Sequence, residues 1–531
     1  MSFHTLLLRA TFVVLSVLIA TPLAAQEIDA SFKAPAPRFT DTDRRQKLAS
    51  AFPEIDRIVR DFATKSHIPG AAWGIVIDGE LAHVGTVGFR ELDSKSPVDA
   101  DTVFRIASMT KSFTAMAILK LRDDGKLSLD DPAERYVPEL KALLYPTADS
   151  PRITIRHLLS HSEGFPEDNP WGDRQLAVPA EQFSRMVRGG IPFSNAPGVA
   201  YEYSNYGFAI LGRIVARASG TTYDDYMNAN ILRPLGLNAS TFEPSSVPPS
   251  RLAHGYRWEN DQWREEPQLA HGSFGAMGGM LMSLRDLGRY ISAYLDSWPP
   301  RDEAERGPIR RASLREMQQA ARSSGARIVR DPDTKRLQLA ASGYGYGLGE
   351  TQTCDFRIIS HGGGLPGFGS TMRWLPEYGV GFIALGNRTY TEWGRVATPV
   401  LDELAKTGGL QRRAVQPSPA LLKAKDAVTQ LVNQWDDKLA DSIAAGNLFL
   451  DRSKEDRQKQ IEELRGGTNS CRADDLFVVE NALRGKWIMK CDRGNLQVGI
   501  TMAPTMPPLV QHLDVKKTDK PVVEKAEICA R

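Results

Sequence analysis

Ser108-Met109-Thr110-Lys111 sets a hydroxyl and an amine three residues apart, and nowhere else in the 531 residues does a lysine follow a serine at that spacing. The tetrapeptide joins an apolar stretch, Val103–Ala107, to a helix-like run, Ser112–Leu121. Residues i and i+3 share one face of a helix. The Lys111 amine can therefore take the proton of the Ser108 hydroxyl, and the pair can serve as base and nucleophile without a histidine. The plain alternative is a solvated serine and lysine in the first turn of a helix, and S-x-x-K by itself does not decide between the two.

Two further groupings bear on that choice. Tyr203-Ser204-Asn205 follows a turn at Pro197-Gly198, whereas a second Tyr-x-Asn, Tyr226-Met227-Asn228, lies in a helix-like run and reads as structural. His361-Gly362-Gly363-Gly364 reads as the end of a strand that opens into Leu365–Ser370. Other signals carry less chemistry. His157 and His161 have the i, i+4 spacing of metal ligands, but no His-Glu-x-x-His accompanies them, and we expect no metal and no cofactor. His271-Gly272-Ser273-Phe274-Gly275 lacks the leading glycine of a nucleophile elbow and reads as a turn.

The ordered set Ser108/Lys111, Tyr203/Asn205 and His361–Gly364 resembles the serine β-lactamase and penicillin-binding protein superfamily, in its class C β-lactamase-related branch. The resemblance extends to Phe104–Ser112, Ile153–His161 with Gly164, Gly278–Asp286 and Tyr344–Gly349, and spans roughly residues 48 to 405. It implies a sheet flanked by helices with an inserted all-helical lobe, and acyl-enzyme chemistry. Ser108 would be the acylated nucleophile and Lys111 its activator, directly or through Tyr203. Tyr203 would relay the proton to the leaving group and help activate the deacylating water. Asn205 would orient Lys111 and the substrate amide. The backbone N–H groups of Ser108 and Gly364 would form the oxyanion hole, and His361 with Gly363 would line the substrate site.

One departure from the family pattern matters. Many β-lactamases and penicillin-binding proteins carry Lys-Thr-Gly where this chain has His361-Gly362-Gly363, which lacks the fixed cation and the hydroxyl. A His-x-Gly version occurs in members resembling D-peptidases, D-aminopeptidases and esterases. We therefore expect weak binding of a substrate carboxylate. A phenolate at Tyr203 loses one neighbouring cation, so Lys111 becomes the better base. The leading expectation is a β-lactamase-related peptidase or esterase. The alternatives are a D-alanyl-D-alanine carboxypeptidase, a β-lactamase proper, or a penicillin-binding sensor that acylates without turnover.

The elements that must hold these residues can be traced along the chain. Residues 47–66 have helical periodicity, and Ala71–Ile77 and Leu81–Val87 read as strands joined by an Asp78-Gly79 turn. Mixed helices and loops fill roughly 127–290, and an Arg-rich segment, 301–330, reads as a solvated face. Strand signals return at Tyr344–Leu348, Phe356–Ile359, Thr371–Trp374 and Val380–Leu385, and a helix-like run at Val396–Ala405 closes the unit. Strands bracketing a helical block indicate an α/β (α+β) layer with an inserted lobe. The expected divisions are a signal peptide at 1–25, a leader at 26–46, the hydrolase domain at 47–406 and a linker at 407–419. Residues 420–531 then form a small α+β domain resembling a cystatin-like module.

Composition narrows the partners. With 66 basic and 64 acidic residues the formal net charge is +2, which gives no support to nucleic-acid binding or a basic membrane surface. Arg9, the apolar run Ala10–Ala20 and the small residues Leu23-Ala24-Ala25 read as an export signal too short to span a bilayer. An uncleaved N-terminal anchor is the other reading. A periplasmic or secreted protein acting on a small-molecule or peptide substrate, cell-wall material among the candidates, follows. Export permits disulfides among Cys354, Cys471, Cys491 and Cys529. Cys471 and Cys491 flank a strand pair and are the favoured bridge, and a zinc site would lack C-x-x-C spacing.

Overall fold

A computed structural model describes residues 35–330, 337–466 and 470–519. The export signal, residues 26–34 of the leader and Cys529 lie outside the described residues. The chain divides into two compact units, which among the described residues cover 36–415 and 416–519.

The first unit is built on a nine-stranded antiparallel sheet. Its strands in chain order are β1 (Gly70–Ile77), β2 (Glu80–Glu91), β3 (Ser96–Pro97), β4 (Arg322–Arg330), β5 (Leu337–Tyr344), β6 (Gly349–Gln352), β7 (Arg357–Leu365), β8 (Phe368–Leu375) and β9 (Val380–Gly386). The order across the sheet is β3-β2-β1-β9-β8-β7-β6-β5-β4. The first and last parts of the sequence thus meet at the β1–β9 pair, with Ala71 opposite Gly386 and Ile77 opposite Val380. The β1–β2 turn places Asp78 and Gly79 at φ 53° and 83°, the left-handed pair that matches strand twist in a two-residue hairpin.

Every residue of β1 is buried, because helices cover both faces of the sheet. Ala71, Trp73, Ile75 and Ile77 point to one side, against helix α1 (Phe52–Lys65) and the closing helix Gly394–Lys406. Ala72 and Val76 point to the other side, which packs on the helical lobe. At the centre of that lobe helix α2 (Thr110–Asp123) is buried from Thr110 to Leu119, so its sequence shows little amphipathic stripe. Helix α3 (Asn205–Ser219) packs beside it, capped by the Ser204 hydroxyl, which accepts from Gly207 N–H.

Two local expectations are corrected, at Tyr344–Leu348 and at 301–330. Tyr344–Leu348 is not one strand: β5 ends at Tyr344 and Gly345–Leu348 turns into β6, with Gly347 at φ 70° and Gly345 N–H donating to Leu348 O. His361–Gly364 stands at the end of a strand as expected, β7 closing at Leu365 before the Gly367 turn. The segment 301–330 is not only a solvated face: helix Arg311–Met317 buries Leu314 and Met317, and β4 forms an edge of the main sheet. Its arginines hide that strand from a hydropathy reading, since an edge strand open to water needs no apolar alternation.

The second unit is a four-stranded antiparallel meander, β10 (Cys471–Asn481), β11 (Arg484–Cys491), β12 (Gly494–Met502) and β13 (Val510–Thr518), with helices Pro419–Asn433 and Lys454–Arg465. Leu421, Val428, Trp487, Met489, Val498 and Ile500 make its core. Cys471 and Cys491 lie directly opposite in the β10–β11 register and are disulfide-bonded, as expected.

Candidate functional site

The Ser108 turn is held by three hydrogen bonds to its backbone. Ala107–Met109 is a single 3-10 turn leading into α2, and Ala107 sits at φ 50°, a left-handed conformation that a residue with a Cβ occupies only under constraint. Ile106 N–H donates to Met280 O, Thr110 Oγ1 to Ala107 O, and Ser370 Oγ from β8 to Ile106 O. Strand β7 presses against this turn. A Cβ on Gly363 would lie 2.2 Å from Ile106 O and 2.3 Å from Ser370 Oγ. Only glycine permits that approach.

Lys111 lies one turn onward and is fully buried. Its Nζ is 3.1 Å from Ser108 Oγ, 2.6 Å from Asn205 Oδ1 and 2.9 Å from Met277 O. An ammonium would fill all three as donor. A neutral amine donates to Asn205 and Met277 and turns its lone pair to the Ser108 hydroxyl. Burial drives the lysine down to about 7, against the attraction of Asp173 and Asp168. Desolvation outweighs the two carboxylates, so a substantial neutral fraction exists near pH 7.

Asn205 is the first residue of α3. Its Nδ2 donates to Asn169 Oδ1 at 3.1 Å, which fixes Oδ1 toward Lys111. Asp168 accepts the N–H groups of Asn205 and Tyr206 at 2.6 and 2.9 Å, a carboxylate at a helix N-terminus. Tyr203 lies just before the helix. Its ring sits 4.7 Å from Lys111 Nζ, and Ser108 is close enough to act on its hydroxyl. Burial, reinforced by Tyr201, Asp173 and Asp168 and opposed by Ser108, pushes Tyr203 well above its ordinary value. It is a neutral phenol.

His361 turns inward from β7. Its Nδ1 donates to Gly362 O at 2.6 Å, which leaves Nε2 to accept from the Tyr344 hydroxyl at 2.9 Å. Burial and nearby Lys111 lower it to about 4, so it carries no charge at neutral pH. Gly364, next along the strand, lies under Tyr390, whose ring a Cβ there would meet at 2.7 Å. Tyr390 donates its hydroxyl to Asp173 at 3.0 Å. Burial raises Asp173 to about 6, with Lys111 pulling the other way.

The structure therefore brings Ser108, Lys111, Tyr203, Asn205, His361, Gly363 and Gly364 to one place. Reading the sequence alone missed Asp168, Asp173, Tyr344 and the Met277 carbonyl, and gave His161 no part in the site. The turn-rich Glu167-Asp168-Asn169-Pro170 stretch before a helix was the one available signal for Asp168. His157 accepts from Thr154 N–H in a capping box and His161 accepts from Ser204 N–H, each through Nδ1, so the i, i+4 pair serves backbone positioning. His271 pairs with Asp224 beside the short helix Gly275–Gly278, not at an elbow. Beside Asp168 and Ser204 opens a cavity of about 510 Å³ with largely apolar walls, among them Phe165, Trp171, Met186 and Ile191.

Known proteins agree with this architecture. The family described as Beta-lactamase matches residues 55–406. "Protein flp" of Staphylococcus aureus (strain MW2) is 26% identical over 340 residues, covering 63% of this chain and 62% of its own length. "Beta-lactamase-like protein 2" of Dictyostelium discoideum is 34% identical over 266 residues, 48% of this chain and 47% of its own. This chain thus spans less than two thirds of either relative. The octameric penicillin-binding protein homologue from Pyrococcus abyssi superposes with a TM-score of 0.57 at 21% identity, over 88% of this chain and 98% of its own, and shares the fold. With a family match over most of its length and that fold, the chain belongs to the beta-lactamase family of the serine β-lactamase and penicillin-binding protein superfamily.

Proposed function

We propose that the protein is an exported serine hydrolase that acts through an acyl-enzyme on an amide, peptide or ester. The observation that carries this reading is the Lys111 amine, buried, brought down to about 7 and 3.1 Å from Ser108 Oγ while Asn205 and Met277 hold its other two directions. In the proposed step Lys111 Nζ takes the Ser108 proton and Oγ attacks the substrate carbonyl. The N–H groups of Ser108 and Gly364 receive the developing oxyanion. The proton passes through the Tyr203 hydroxyl to the leaving group, whose bond to the carbonyl carbon breaks. Water then attacks the ester, giving its proton back along the same path, and Ser108 Oγ leaves as the hydroxyl.

The neutral His361, with both ring nitrogens engaged, supports a peptidase or esterase over a β-lactamase. At His361-Gly362-Gly363 a substrate carboxylate finds no fixed cation. The N-terminal signal and the Cys471–Cys491 disulfide support export, and among the described residues no helix is long and apolar enough to cross a membrane.

The test is a panel of nitrocefin, a p-nitrophenyl ester and a D-alanyl anilide, run with a fluorophosphonate label on wild type and Ser108→Ala. The expected result is label on Ser108, turnover of ester or anilide above nitrocefin, and loss of both in the variant. Label on another side chain, or undiminished turnover by Ser108→Ala, refutes the reading. A stable adduct without turnover assigns a sensor instead.

A further inference from the structure

The segment Tyr201–Ser204 delivers the Tyr203 phenol to Ser108 without secondary structure of its own, so something else must fix its path. One residue grips it from both ends. Glu202 N–H donates to the His161 carbonyl at 2.8 Å, and Ser204 N–H donates to His161 Nδ1 at 3.1 Å. Between those two bonds the Tyr203 ring leans against the imidazole, with centroids 4.2 Å apart and the planes tilted by 38°. Phe208 and Tyr344 hold the imidazole on other sides, at 5.0 and 4.6 Å. His161 has no solvent exposure, and its backbone is left-handed at φ 52°. A non-glycine residue kept in that conformation and fully buried marks a place where the surroundings dictate the backbone.

We propose that His161 is the positioning residue for Tyr203, its carbonyl and Nδ1 together setting the peptide at 202–204 and with it the aim of the phenol at Ser108. The proposal rests on the reading of Ser108 as nucleophile. It fixes the tautomer as well. A nitrogen that accepts from an amide N–H carries no hydrogen, so the ring's hydrogen is on Nε2. The titratable groups around the ring are Lys111, His361, Tyr201, Tyr203 and Tyr344. Burial, with Lys111 and His361 nearby, keeps His161 neutral well into the acid range, so the grip persists wherever Lys111 can act.

Two substitutions separate the acceptor from the backbone. Asparagine tolerates a left-handed backbone and offers Oδ1 near the place of Nδ1, whereas glycine tolerates the backbone and offers nothing. The readouts are fluorophosphonate labelling of Ser108 and the KM-against-kcat split on a p-nitrophenyl ester. We expect His161→Gly to lose about 10- to 100-fold in labelling rate and kcat with KM little changed, as a misplaced catalytic group does. His161→Asn should stay within about fivefold of wild type. A folded His161→Gly that labels at the wild-type rate overturns the proposal. If glycine prevents folding, ¹⁵N spectra of histidine-labelled wild type decide. Nδ1 bare and Nε2 protonated from pH 8 to pH 5 is expected, and hydrogen on Nδ1 overturns it. Wild type unlabelled at Ser108 sinks the serine-hydrolase reading, and this proposal with it, and is distinguished by failing before any His161 variant is made.

Discussion

Replacing Asp173 by asparagine tests the acid–base assignment most directly. Asp173 is almost wholly buried and is the stronger of the two carboxylates that raise Lys111 against desolvation. Asparagine keeps an acceptor for the Tyr390 hydroxyl and removes only the charge. The pair makes no direct ion contact, and opposite charges about 6–10 Å apart at an effective dielectric constant of about 20 attract by about 2–3 kcal/mol. One pKa unit is about 1.4 kcal/mol. Asp173, itself raised to about 6, is partly protonated over the range where Lys111 titrates, which reduces the effect. The expected displacement is about one unit downward from the wild-type value of about 7. The active form is the neutral amine, so wild type loses rate as pH falls through 7. At pH 6 about a tenth of Lys111 is neutral in wild type and about half in Asp173→Asn, a roughly fivefold gain for the variant. Second-order fluorophosphonate labelling of Ser108 between pH 5 and 9 measures it. An acid limb that stays in place, or moves upward, refutes Lys111 as the base. A limb far above pH 8 in wild type points instead to the Tyr203 phenolate, whose proton the structure holds tightly.

Three further outcomes follow from named contacts. Lys111 has a folded value of about 7 against an ordinary 10.5, so between those values the unfolded chain binds more protons and the lysine's contribution to stability improves as pH rises. The unfolding free energy of wild type relative to Lys111→Met should accordingly move by about 2 kcal/mol in favour of wild type from pH 7 to pH 9, read by urea unfolding, and no change refutes the buried amine. Gly363→Ala forces a Cβ onto Ile106 O and should cost about 1–3 kcal/mol and most Ser108 labelling, whereas Gly362→Ala, whose nearest neighbour is 3.8 Å away, should leave the melting temperature in place. Opening the Cys471–Cys491 bridge by a double serine substitution should destabilise the 416–519 unit by about 2–4 kcal/mol, seen as faster proteolysis within it.

How much of this was legible beforehand depended on whether the signal was local. Ser108 and Lys111 stand one helical turn apart, so their proximity follows from spacing. The Asp78-Gly79 hairpin and the Cys471–Cys491 bridge rest on turn chemistry and strand neighbours, and both could be read directly. The β4 edge strand could not, because arginines on a solvated edge give no apolar alternation.

The amino-acid order by itself determined the fold class, the S-x-x-K pair and the absence of a lysine from the third motif. Tertiary structure decided which partners those groups keep. It brings Asn205 from 94 residues away and Met277 from 166 residues away onto one lysine, and it sets β7 against the Ser108 turn. It also decided that Lys111 is partly neutral, Tyr203 protonated and His361 uncharged, because desolvation belongs to the packed interior and has no counterpart in a residue's neighbours along the chain. His161 shows the difference most plainly: its spacing from His157 gave it no role in the chemistry, and only folding turned its Nδ1 and carbonyl toward the peptide that carries Tyr203.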